Sequence, residues 1–218
     1  MSSTASKPPI VLIHGMWMTP LSWEHWASHY TDRGHHVVAP AWPGLDKEPE
    51  QLRRDPAPLR GIDITEVVDH YDKIIRGLDQ APIIIGHSFG GLFTQLLLDR
   101  GLGVAGVTLG TAAPKGVLKL PFSTLRSAWP ALGNPANLKK ETPLTTEQFH
   151  WCFTNAVSKD ESDRVYDRYY IPGARGRSSR RASRTSTRTA RRRSTTRTPP
   201  ERRFCSSRAP SIGSVRRR

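Results

Sequence analysis

The most constraining feature of this chain is six residues long. Residues 81–85 form a short apolar run that leads into Gly86-His87-Ser88-Phe89-Gly90-Gly91, and residues 90–100 carry a helical pattern. A G-x-S-x-G sequence set between a strand and a helix predicts a nucleophile elbow. The glycines have a steric reason, since the serine occupies a sharp, strained corner where flanking side chains would collide. That corner lifts the Ser88 hydroxyl above the sheet. It also places the hydroxyl at a helix N-terminus, whose dipole favours developing negative charge. The rest of the fold has to build a sheet around this strand.

Residues 1–172 supply one. Residues 9–15 (PIVLIHG) read as a buried first strand and 36–41 as a second. Residues 104–110 complete a set of four parallel strands with three crossovers, an α/β architecture. A helix is expected over 20–33, with Trp23, Trp26, Ala27 and Tyr30 as its apolar stripe, Thr19 as its N-cap and Gly34 at its far end. Residues 63–79 show the clearest helical period, and Asp63 with Glu66 resembles a capping box. Residues 114–170 hold looser helical patterns around 123–132 and 146–170, placed to cover the C-terminal edge of the sheet. No apolar run approaches the roughly 18 residues that a membrane span needs. The first residues lack the pattern of a secretory signal. Two cysteines, Cys152 and Cys205, point to a reducing compartment, with the cytoplasm as the default.

Charge divides the chain. The net +14 belongs to residues 173–218, which hold 16 Arg, no Lys and one acidic residue, Glu201. Residues 1–172 hold 17 basic and 18 acidic side chains, with eight Lys and nine Arg. Fifteen of the last 46 residues are Ser or Thr, and Phe204, Ile212 and Val215 are the only larger apolar ones. Such a segment buries too little to offset its ordering entropy, so 173–218 is expected to be disordered. The switch from mixed Lys and Arg to Arg alone reads as a change of reading frame near Pro172. As a genuine tail, it would bind nucleic acid or anionic surfaces without specificity and with strong salt dependence. Only Phe204 is present for base stacking, so the sequence favours incidental contact with polyanions.

A second loop completes the chemistry. His14-Gly15-Met16-Trp17 follows the first strand, at the same sheet edge as Ser88. The Met16 and Phe89 N–H groups are the natural pair to hold a tetrahedral oxyanion, and His14 suits a loop-orienting role. The segments VLIHGMW, HVVAPAWPG and IIIGHSFGG resemble strand-and-loop segments of the α/β-hydrolase family, and the two turns stand about 74 residues apart. The resemblance covers residues 9–172, in the esterase/lipase-like, serine-nucleophile branch. It implies an incomplete α/β-hydrolase fold, a mostly parallel sheet with flanking helices, and a partial helical cap over about 114–170. The family's first two edge strands would be absent or reduced. It further implies an acyl-enzyme route on small ester, amide or related carbonyl substrates, with no cofactor. The serine at position 88 sets the chain apart from relatives with an aspartate nucleophile. Trp17, Phe89, Trp129 and Trp151 suggest a small apolar or aromatic acyl group.

The same resemblance exposes a gap. The family places its acid and its histidine after late strands, whereas here the last Asp is Asp167 and the last His is His150. Serine without a base is a poor nucleophile, because its proton has no acceptor. His87, His70, His25, His29, His35 and His36 read as local polar contacts, and His150 is a weak substitute among Phe149, Trp151 and Phe153. Cys152 reads as an inert buried thiol. Neither C-x-x-C nor H-E-x-x-H occurs, so no metal site is expected. The expectation is a hydrolase by ancestry whose activity is lost.

Overall fold

β1 (Ile10–Ile13) is buried at all four positions, as a strand covered on both faces must be. The computed structural model describes residues 6–59, 61–112, 143–173 and the backbone of 204–205. β1 pairs in parallel with β2 (Val37–Val38) on one side and β3 (Ile83–His87) on the other. β3 pairs in parallel with β4 (Ala105–Leu109). The register sets Ile13 opposite Gly86 and His87 opposite Leu109, so the loop after β1 and the turn after β3 leave the sheet side by side.

A fifth strand lies within the segment 173–218. β5 (Phe204–Cys205) pairs in parallel with β4, Phe204 against Gly106 and Cys205 against Val107, giving the order β2-β1-β3-β4-β5. Residues 173–218 therefore contain a strand, and β4 is not a bare edge at these positions. An unpaired strand presents a row of free N–H and C=O groups, and backbone pairing satisfies them without needing an apolar run of its own.

One face of the sheet carries α3 (Ile64–Arg76) and α4 (Phe89–Asp99), with Val67, Val68, Tyr71, Ile75, Phe93 and Leu97 packed on Val11, Ile13 and Ile84. Asp63 caps α3 by accepting from the Thr65 N–H at 2.7 Å, one residue short of the expected box. Arg100 binds Asp69 and Asp72, tying the end of α4 to α3. The opposite face carries α1 (Glu24–Thr31), packed on Ile10, Leu12 and Ile85 through Trp23, Ala27 and Tyr30. The helix expected from residue 20 begins as a 3-10 turn at Pro20–Trp23. Thr19 does not cap it. Its hydroxyl is buried without a partner among the described residues, and its carbonyl accepts from the Ser22 N–H and hydroxyl. Gly34, at φ +79, ends the segment as expected.

The pattern over 146–170 resolves into two helices, α5 (Thr146–Phe153) and α6 (Lys159–Tyr169). They separate because Ser158 caps α6 by accepting from the Glu161 N–H, while Thr154 turns its hydroxyl to Ser162 at 2.6 Å. α6 is fastened to the core at its C-terminal end. Arg53 of α2 (Pro49–Arg54) donates to the carbonyls of Asp167 and Tyr170, where a helix C-terminus favours a cation. Arg168 and Tyr169 both donate to Glu24 of α1, which holds that carboxyl well below its usual range, at about 2. The pattern around 123–132 lies outside the described residues. Among the described residues, no helix is long and apolar enough to cross a membrane.

Two glycines test the packing. A Cβ on Gly90 would lie 2.1 Å from the Ile13 carbonyl oxygen, whereas one on Gly77 meets nothing closer than 3.4 Å. Gly90→Ala is expected to cost at least about 3 kcal/mol, at the upper end of overpacking penalties, because backbone must move. Gly77→Ala is expected to be neutral or to stabilise by about 0.5 kcal/mol. Urea denaturation of the two variants checks the contrast; equal stabilities would contradict it.

Candidate active site

Ser88 sits at φ 55, ψ −117, between β3 and α4. A non-glycine residue there is strained by about 1–3 kcal/mol and needs its surroundings to hold it. The surroundings do. The Ser88 N–H donates to the Leu109 carbonyl at 2.9 Å, and its own carbonyl accepts from Gly91, Leu92 and Ala112. On either side only glycine fits. A Cβ on Gly86 would lie 2.1 Å from the Gly90 carbonyl oxygen, and Gly90 abuts the end of β1. The elbow expected from the sequence is present in its backbone geometry.

The loop after β1 lies directly against it. A Cβ on Gly15 would stand 2.9 Å from Ser88 Cβ and 3.1 Å from the His87 carbonyl, so the Gly15 backbone is pressed onto the elbow. Met16 and Phe89 are half-buried on the two sides of this contact, and both pack on the α3–α4 core. Among the described residues, neither the Met16 nor the Phe89 N–H donates to a backbone carbonyl. Phe89 opens α4, where the first N–H groups have no intrahelical acceptor. The two turns thus come together at one edge of the sheet.

His14 is buried beneath this loop, stacked on Trp42 with ring centroids 5.0 Å apart. The Trp42 N–H donates to His14 Nε2 at 3.3 Å, so Nδ1 carries the proton and donates to the Gly15 carbonyl at 3.0 Å. Both nitrogens are occupied. Burial lowers the His14 pKa from 6.5 to about 4, against smaller upward effects of the Gly15 and Met18 backbone. Trp42 was not singled out from the sequence. The signal available was the Trp-Pro-Gly step in HVVAPAWPG, where an aromatic precedes a tight turn at the sheet edge.

No histidine is hydrogen-bonded to the Ser88 hydroxyl among the described residues. His87 turns its ring between Gly15 and Gly110, and burial lowers its pKa, which favours the neutral form. His70 bonds the Ala41 carbonyl, His35 the Pro8 carbonyl and His29 the Arg33 guanidinium, while His25 lies beside Glu24. His150 has a buried Nδ1 with no partner among the described residues. Burial pushes the Cys152 thiol pKa up, away from a reactive thiolate. Trp17, in the turn itself, packs against Phe153 and Gly173, while Trp151 is exposed on α5. Trp129 lies outside the described residues. Among those residues, no group of three His, Cys, Asp or Glu side chains is placed to hold a metal ion.

Comparison with known proteins agrees with this geometry. A family model described as "Alpha/beta hydrolase family" matches residues 10–208. Among solved structures, the chain is similar to an extracellular alpha/beta-hydrolase from a Paenibacillus species, at 23% identity and TM-score 0.58, covering 78% of this chain and 68% of that one. It is similar to tomato methylketone synthase I at 14% identity and TM-score 0.54, covering 76% and 67%. A polyneuridine aldehyde esterase mutant follows at 17% identity and TM-score 0.51, covering 77% and 69%. No curated protein matches the sequence.

The state of His14 makes the loop sensitive to acid. Its pKa in the fold lies below the ordinary 6.5, so neutral His14 adds stability above that pH and loses it as pH falls through about 4. Protonation of Nε2 also removes the acceptor for the Trp42 N–H. The contribution is about 3 kcal/mol, and His14→Gln is expected to flatten the stability profile between pH 7 and 4 by that order. Denaturant melts at several pH values check this; parallel profiles for the two proteins would contradict it.

Proposed function

The chain belongs to the alpha/beta hydrolase family, and from that premise we propose a serine-nucleophile site for small ester, amide or related carbonyl compounds that lacks its proton relay. In this reading Ser88 is the nucleophile that would form the acyl-enzyme. The Met16 and Phe89 N–H groups form the oxyanion hole, and His14 orients the loop that carries one of them. The supporting observation is the pairing of a strained Ser88, pressed against Gly15, with a hydroxyl to which no described histidine is hydrogen-bonded.

The mechanism stops at a definite step. Attack on a carbonyl carbon requires the Ser88 proton to leave as the new C–O bond forms. His14 cannot take it, because Nδ1 is already protonated and Nε2 already accepts from Trp42. Residues 173–218 hold no Asp, His or Lys, and their one carboxylate is Glu201. The oxyanion donors remain, so charge stabilisation outlives proton transfer. The aromatic side chains of Trp17 and Phe89, on the two turns, suit a small apolar acyl group in this reading.

A fluorophosphonate probe is expected to leave Ser88 unlabelled at neutral pH. Added imidazole, which supplies the missing acceptor, is expected to raise hydrolysis of an activated aryl acetate about tenfold over the Ser88→Ala protein in the same buffer. Labelling without imidazole that disappears in Ser88→Ala would show a working base and overturn the proposal of lost turnover. Equal rates for the two proteins with imidazole present would remove Ser88 from the nucleophile role.

A further inference from the structure

Two non-glycine residues among those described have positive φ, Ser88 and Trp17. The elbow's own hydrogen bonds account for Ser88. Trp17, at φ 67, is a bulky aromatic that does not stay in the left-handed region without restraint from outside its turn. That restraint comes from residues far along the chain. The Trp17 carbonyl accepts from the Ile171 N–H at 2.9 Å, and its indole meets Phe153 edge-on at 5.7 Å. A Cβ on Gly173 would lie 2.5 Å from the indole nitrogen, so residue 173 approaches the rigid ring as only glycine can. Ile171 is buried, and the Tyr170 carbonyl before it is held by Arg53.

We propose that residues 171–173 form a latch and that Trp17 is a positioning residue, held by the latch so that the Met16 N–H stays aimed at Ser88. The inference rests on the assignment of Met16 as an oxyanion donor. The coupling follows from a loop pinned at both ends. His14 is fixed by Trp42 on one side, and Thr19 is buried and bonded to Ser22 on the other. If Trp17 leaves the left-handed region, the compensating rotation falls on the residues between those anchors. Gly15 is the most permissive of them, and its peptide carries the Met16 N–H. Releasing the strap therefore turns the donor away while Ser88 and its elbow stay in place. The end of the cap thus sets the geometry of a site some 85 residues earlier in sequence than residue 173.

A double-mutant cycle tests the latch, with Gly173→Ala, Trp17→Gly and the double variant in the full chain. Gly173→Ala is expected to speed hydrogen exchange at the Met16 amide about tenfold. It should also lower kcat of imidazole-assisted aryl acetate hydrolysis by a similar factor, with KM within about twofold. Both effects should vanish in the Trp17→Gly background, where the ring is gone and the backbone needs no restraint. A Gly173→Ala effect on Met16 exchange that is equal in both backgrounds, or absent from both, overturns the latch. If Gly173→Ala fails to fold, Phe153→Leu removes the edge contact without touching the strap, and unchanged Met16 exchange there likewise overturns it. Exchange that follows the cycle while imidazole restores no turnover supports the latch and counts against the serine-hydrolase reading.

Discussion

The structure depends on a close approach of three backbones. Gly86, Gly90 and Gly15 bring the end of β3, the first turn of α4 and the loop after β1 to distances that no Cβ could share. Because these backbones pack at such close range, the left-handed Ser88 between them is a consequence of packing rather than of local preference. The order of the sheet follows from the same contact. β1 and β3 must be neighbours for their loops to meet, and the register of Ile13 on Gly86 delivers both to one edge.

Around that contact the chain is electrically quiet. The two histidines nearest to Gly15 both have lowered pKa values because they are buried without an acidic partner. A neutral His14 with both nitrogens used serves as a strut between Trp42 and Gly15. The strong charge pairs lie elsewhere, at Glu24 with Arg168 and at Asp72 with Arg100, where they join helices to one another. Charge assembles the layers, while steric fit and neutral hydrogen bonds shape the site.

The cap adds a third influence. Its aromatic cluster of Leu144, Phe149 and Tyr170 packs on Trp17 and Met18, so the turn carrying Met16 belongs both to the sheet edge and to the cap. Leu144 is itself gripped by two stacked tyrosines, Tyr170 accepting its N–H and Tyr166 donating to its carbonyl.

Sequence alone determined the elbow, the four parallel strands, the pairing of two turns at one edge and the lack of a late acid and histidine. These rest on local patterns: glycine spacing, short apolar runs and the plain presence or absence of a residue type. It did not reveal the failed Thr19 cap, the break between α5 and α6, the strand at Phe204–Cys205 or the roles of Trp42, Ile171 and Gly173. Those were decided by tertiary structure. Each depends on what another segment offers at that point: an unpaired edge on β4, a ring above His14, an indole in place of a Cβ. A residue's neighbours in space carry no trace in its own stretch of sequence when the contact is made by backbone or by a glycine, because neither leaves a side-chain pattern to read.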